Sequence, residues 1–188
     1  MTYKNFTLAV FIFVAPCLLF AQRLMDTESY IRFFSEAPLE DIEAINESAL
    51  SALDLGSGRV AVSMKMKDFH FDKSLMEEHF NENYVESEKY PKATFSGTID
   101  AFDASKFNNL TDSLVQMASG KLTIHGVTHE INVPVVFKRN GDKLIAQTEF
   151  LVRVEDYDIE VPTMLIKNIA EEVLVTSVFR FDYKPTDQ

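Results

Sequence analysis

The chain has 188 residues, 46% of them hydrophobic, with 18 Lys and Arg against 29 Asp and Glu and a formal net charge of −11. So acidic a chain is a poor partner for nucleic acid, whose phosphates draw most of their affinity from basic surfaces, and the charge reads as solubility instead. With one cysteine, Cys17, there is no internal disulfide, and the fold must stand on a hydrophobic core of single-domain size.

Residues 1–21 have the pattern of a secretory signal peptide. Lys4 precedes an uncharged apolar run from Phe6 to Phe20, and Leu19 and Ala21 hold the positions expected before cleavage. The run is shorter than the roughly 20 residues of a spanning helix, so no stable membrane span is expected. Pro16 ahead of Cys17 does not suit lipidation. Cleavage would leave a domain over 22–188, periplasmic or extracellular, without a thiol and, with Lys4 lost, one unit more acidic.

Glu28 to Ser35 alternates as a strand, Ile31 and Phe33 on one face, Tyr30, Arg32 and Phe34 on the other. Leu39, Ile42 and Ile45 are spaced as in a short helix, while Ile42, Ala44 and Asn46 suit an extended edge, and both readings stay open. Residues 48–54 and 59–67 flank Leu55-Gly56-Ser57-Gly58 as a hairpin. In its returning strand Val60, Val62, Met64 and Met66 hold even positions but Phe69 and Phe71 odd ones, which a β-bulge near Lys67-Asp68 would explain. Residues 72–85 form the one clear helix: Asp72 can cap it, and Leu75, Met76, His79, Phe80 and Tyr84 make a stripe lying across one end of the sheet.

Ala93 to Phe102 is a further strand with Ala93, Phe95, Ile99 and Ala101 on its apolar face. Gly97 on the same face leaves a gap that serves bending or admits a ligand. Residues 103–112 read as a polar connection. The stretch Gly120 to Phe137, extended backwards by 113–118, is a hairpin turning at Gly126-Val127-Thr128; Leu122 and Ile124 share one side of its first strand, and Ile131, Val133, Val135 and Phe137 one side of its second. Leu144 to Val154 is a strand containing Phe150. A loop with one helical turn follows at 162–170. The last strand, 173–183, carries Val173, Val175, Phe179, Phe181 and Tyr183 in one row. At least seven strands with short connections and one helix make an all-β chain, an antiparallel barrel in preference to a sandwich.

Catalysis needs polar groups brought together, and the chain has four histidines to offer. His125 and His129 bracket the turn and read as turn residues making local hydrogen bonds, not metal ligands. His79 reads as a half-buried packing residue and His70, between Phe69 and Phe71, as facing solvent. The pair Asp156 and Asp158 around Tyr157 would bind a cation only if further oxygens converged. No nucleophile elbow, phosphate loop, metalloprotease or calcium-loop pattern is present, so the expectation is no enzyme, no metal and no cofactor. Instead, 16 Phe and 7 Met without a single Trp supply apolar bulk, which either fills a barrel or walls a slot for one slender ligand.

Two stretches carry a resemblance. Tyr90-Pro91-Lys92-Ala93-Thr94-Phe95 resembles the YPxxxF signature of the YceI-like proteins, and Gly120-Lys121-Leu122-Thr123-Ile124-His125-Gly126-Val127-Thr128 resembles their GxLTIHGVT signature. Residues 76–84 resemble the family helix before the YP strand, and Asp156-Tyr157 its late D-[FY] pair. The W-x-[VI]-D opening is absent, and Asp158-Ile159 stands where a glycine commonly follows the aromatic. The resemblance implies a lipocalin-like barrel of about eight strands that binds a polyisoprenoid or other amphiphilic lipid in an exported bacterial protein. The expected wall is Phe69, Phe71, Phe80, Phe95, Ile99, Leu122 and Ile124, continued by Val133, Val135, Phe137, Phe150, Val175 and Phe179, with Tyr84, His79 and Tyr157 at the mouth. A homodimer is compatible with the sequence. The competing expectation is a solid-core periplasmic interaction or stress-response module without a ligand.

Overall fold

The computed structural model describes residues 23–36, 41–160 and 171–184. The signal segment, Leu39 and the loop expected at 162–170 lie outside the described residues. Within them, ten strands join in one antiparallel sheet, and eight of these close on themselves. The barrel strands are β1 (Arg23–Ser35), β3 (Leu50–Asp54), β4 (Arg59–Lys65), β6 (Lys92–Ile99), β7 (Ser113–Ile124), β8 (Val127–Asn140), β9 (Lys143–Arg153) and β10 (Glu172–Asp182). Closure comes from β1 against β10, with Ser29 opposite Phe179 and Phe33 opposite Val175. Closing the sheet leaves no open edge along these strands and turns every alternate side chain inward.

The open reading of 42–46 resolves to a strand. β2 (Ile42–Asn46) pairs with the second half of β1 and carries the two-residue β5 (His70–Phe71) on its far side. Asn46, fully buried, fastens it: its Nδ2 donates to the Lys65 carbonyl at 3.0 Å and its Oδ1 accepts from the Ser48 N–H.

The parity change between Met66 and Phe69 has a different cause from the expected bulge. β4 ends at Lys65, and Met66–Asp68 form a 3-10 turn closed by Phe69 N–H donating to the Met66 carbonyl. Three residues per turn return Met66 and Phe69 to the same side, and both are buried.

The expected helix forms, as α1 (Ser74–His79) running on into a π-type turn, Phe80–Tyr84. Its N-cap is Lys73 and not Asp72, and no side chain caps it. Leu75 leaves the stripe: it is 60% exposed, because the wider π turn rotates the inward face onto Met76, Phe80 and Tyr84. Residues 103–112 are more than a polar connection. Asp103 accepts from the Ser105 N–H and caps α2 (Ala104–Asn108), whose Phe107 is only 1% exposed. Phe107 packs edge-on to Phe137 at 4.9 Å and beside Phe102 at 5.3 Å, while Tyr183 Oη hydrogen-bonds Asn108 at 2.5 Å. Ala101 leaves the inward row of β6; it turns with φ of 46° and is exposed.

The strands run up and down, so the connections gather at two ends. At one end α2 closes the barrel with Phe107, Leu110 and Tyr183, all buried. At the other lie α1, the β7–β8 turn and the segment after β9.

Candidate functional site

Between the α2 plug and α1 the barrel is not filled. A cavity of about 330 Å³ runs through it, lined by inward residues of the barrel strands and by Met76, His79, Phe80 and Tyr84 of the helical segment. Cavities of this order hold small ligands. The lining is almost wholly hydrocarbon and aromatic, with Ser35, Ser51, Thr148 and Ser177 the polar members on the strands. Exposed His79 belongs to the lining as well, so the cavity reaches the surface beside α1.

All thirteen residues expected in the wall face this cavity, as do Tyr84 and His79. Burial pushes the Tyr84 phenol above its ordinary pKa, so it stays a neutral hydroxyl. Tyr157 does not face the cavity. It is buried in a side cluster with Leu122 and Val152, and burial raises its pKa too. The strongest wall residue not anticipated is Phe33, the hub of an aromatic group. Its ring lies 5.4 Å from Phe69, 5.6 Å from Phe71 and 5.4 Å from Phe80, and Phe71 and Phe80 are 5.0 Å apart. The alternation of Ile31, Phe33 and Ser35 signals it. Phe34 on the other face masks the pattern, and its ring is taken up outside by the Arg32 guanidinium at 4.7 Å.

Gly97 is not a gap for a ligand. It pairs with Gly120 across β6 and β7, and the Phe95 ring lies over both. A Cβ on Gly97 would sit 2.3 Å from the Ser119 carbonyl oxygen and 2.9 Å from the Gly120 Cα.

The rim at the α1 end is held by the residues of the two sequence signatures. The β7–β8 turn is two residues long, His125-Gly126, with φ of 50° and 78°; Val127 and Thr128 already belong to β8. That is the backbone of a tight type I′ hairpin. The histidine bonds are not local to the turn. His125 Nδ1 lies 3.1 Å from the Tyr157 carbonyl oxygen, its Nε2 lies 2.9 Å from Glu86 Oε2, and His129 Nε2 lies 2.7 Å from the Asp156 carbonyl oxygen. Tyr90 packs on the His125 ring at 4.3 Å and sits against Gly126, where a Cβ would be 2.7 Å from Cε1. The turn thus ties the segment before β6 to the one after β9. Both ring nitrogens of His125 face acceptors, so the doubly protonated ring donates to both partners and the neutral ring to one. Among the described residues no group of three His, Cys, Asp or Glu side chains converges as a metal site, the pair around Tyr157 included. His70, exposed on β5, faces Glu77 at 3.7 Å.

The hydrogen bond from His125, reinforced by the nearby Lys89, holds the Glu86 carboxyl below its ordinary pKa against a smaller opposing effect of desolvation. A depressed carboxyl pKa adds stability above the unfolded value of about 4.3 and loses it as pH falls through the folded value. Wild type should therefore be more stable than Glu86→Gln at pH 6, and in thermal melts the difference should shrink as pH falls below the unfolded value of about 4.3 and vanish once the folded carboxyl is protonated. A constant gap down to pH 2 would show that the carboxylate charge plays no part in the rim.

Fold and cavity together define a class, an antiparallel up-and-down barrel around an apolar chamber that opens beside a helix. Within it, this chain belongs to the YceI-like domain family, whose model matches residues 31–181. Solved structures share the fold. A polyisoprenoid binding domain from Saccharophagus degradans, implicated in plant cell wall breakdown, aligns at 16% identity with TM-score 0.73, covering 87% of this chain and 99% of its own. Burkholderia cenocepacia BcnA aligns at 19% identity with TM-score 0.66, over 81% of this chain and 95% of its own. A Campylobacter jejuni YCEI protein aligns at 13% identity with TM-score 0.58, over 98% and 91%. No curated protein matches the chain in sequence.

Proposed function

We propose that this protein is an exported lipid-binding protein that sheathes a polyisoprenoid or similar amphiphile inside the barrel, acting by binding and not by turnover. The observation that carries the reading is the apolar cavity of about 330 Å³, which also favours it over a solid barrel acting through its surface. Each methylene moved from water into such a lining contributes roughly 0.8 kcal/mol, so a long chain binds without a cluster of polar groups. Membership of the YceI-like family and the polyisoprenoid-binding description of the Saccharophagus relative support the choice of ligand. The signal-like residues 1–21 support export to the periplasm or beyond.

The test is to fill the chamber. Ala118 lines it and is buried, opposite Val133. In Ala118→Phe the added ring should occupy ligand space, so that lipid taken up by wild type from a bacterial extract, read by native mass spectrometry, falls about tenfold or more. Equal uptake by both proteins, or none by wild type, would sink the carrier reading.

A further inference from the structure

We propose that the α2 end of the cavity holds a hydroxyl-binding site formed by Ser51 and Asp26, which selects amphiphiles ending in an alcohol; this rests on the carrier reading above. Leu24 pairs with Leu53 and Met25 with Ala52 between β1 and β3, and Asp26 and Ser51 are the next residues of those strands. Asp26 is paired on its other side with Phe181, and Ser51 with Val62. Both of those partners line the cavity, and directly paired residues of an antiparallel ladder project to the same face. Asp26 and Ser51 therefore project inward, near the strand termini that meet at the α2 end.

Each brings a buried oxygen that has no hydrogen-bond partner among the described residues. Ser51 is 3% exposed and lines the cavity, and its Oγ has no hydrogen-bond partner. Asp26 Oδ1 accepts from the Glu28 and Arg180 N–H groups at 2.9 and 3.0 Å, while Oδ2 is buried without a partner. Ser51 lines the apolar chamber and Asp26 stands beside it, flanked by the lining residue Phe181; orphaned polar atoms there are costly, and a ligand that completes them adds hydrogen bonds the protein alone does not supply. One alcohol group suits both: its O–H donates to Asp26 Oδ2 and its oxygen accepts from the Ser51 hydroxyl. An alkane leaves both unmet. An ionised carboxylate or phosphate has no proton to donate and sets negative charge beside Asp26, and no Lys or Arg is among the described residues lining the cavity. The ligand would lie head first, its alcohol at the α2 end and its tail toward α1.

The experiment uses delipidated protein and three chains of equal length, 1-hexadecanol, hexadecane and hexadecanoate, competed from detergent and read by native mass spectrometry. Wild type should prefer the alcohol to each of the others by about tenfold. Ser51→Ala should bring the alcohol-to-alkane ratio toward one. In Asp26→Asn the two backbone donors keep Oδ1 in place and put an N–H donor where Oδ2 stood, so preference should move toward hexadecanoate. An unchanged alcohol-to-alkane ratio in Ser51→Ala, or no shift toward the carboxylate in Asp26→Asn, overturns the site and leaves the carrier reading standing. Failure of all three to bind wild type overturns both.

Discussion

Replacing Gly97 with leucine is expected to leave little folded protein, and Gly97→Ala to cost about 3 kcal/mol, read as a lower urea midpoint. The reason is backbone contact and not cavity volume. Gly97 and Gly120 face each other across β6 and β7, and a Cβ on either would fall within 2.5 Å of backbone atoms of the opposing strand. Carbonyls and Cα atoms cannot rotate away as a side chain can, so the strands would have to separate, in the wall where the signature residues Phe95 and Leu122 pair. The Phe95 ring would be displaced as well, since its Cζ lies 2.8 Å from the Gly97 Cβ position. Gly120→Ala should behave alike. A wild-type midpoint for Gly97→Ala would mean that β6 and β7 have room to part.

His125→Ala is expected to cost about 3 kcal/mol and to speed the release of bound lipid. The His125 side chain is only 9% exposed and touches Glu86, Tyr157 and Tyr90 together. Removing it leaves the Tyr157 carbonyl and the Glu86 carboxylate without their shared donor, and Glu86 itself sits at a φ of 43°, a conformation held by its surroundings. Both segments it ties border the mouth, so the rim should open more often once the ring is gone. His129→Ala is the contrast. That residue is exposed, with a hydrogen bond to the Asp156 carbonyl and an edge-on contact with the Tyr157 ring at 5.1 Å, so its loss should cost only about 1 kcal/mol. Equal effects of the two substitutions on midpoint and on lipid dissociation would rule out a rim latch centred on His125.

The strands and their inward faces were legible in the chain because alternation has a period of two and survives tertiary context. Leu122, Val133, Val135, Phe137, Val175 and Phe179 all face the chamber as alternation predicts. Legibility failed where the backbone left that period. The 3-10 turn at Met66–Asp68 and the π turn at Phe80–Tyr84 each shift which residues share a face, which is why Leu75 was misplaced and a bulge expected. Phe107 is not legible because it and Leu110 are the two large apolar residues of an otherwise polar connection, too few to show a period. Its signal was Asp103 with Ser105, a short helix cap. The contacts of Tyr90, Gly126, His125 and Glu86 were beyond pattern reading altogether, since His125 meets Glu86 across 39 residues of chain.

By itself, then, the amino-acid order determined an all-β chain with one helix, its inward rows and its family signatures, because these rest on local spacing and on which side chains avoid water. Only the tertiary structure decided that the barrel encloses a cavity, that α2 closes one end, and that the signature residues clasp the rim. Those outcomes depend on where β1 meets β10 and on side chains brought together from distant segments, and neither leaves a mark on any single stretch of sequence.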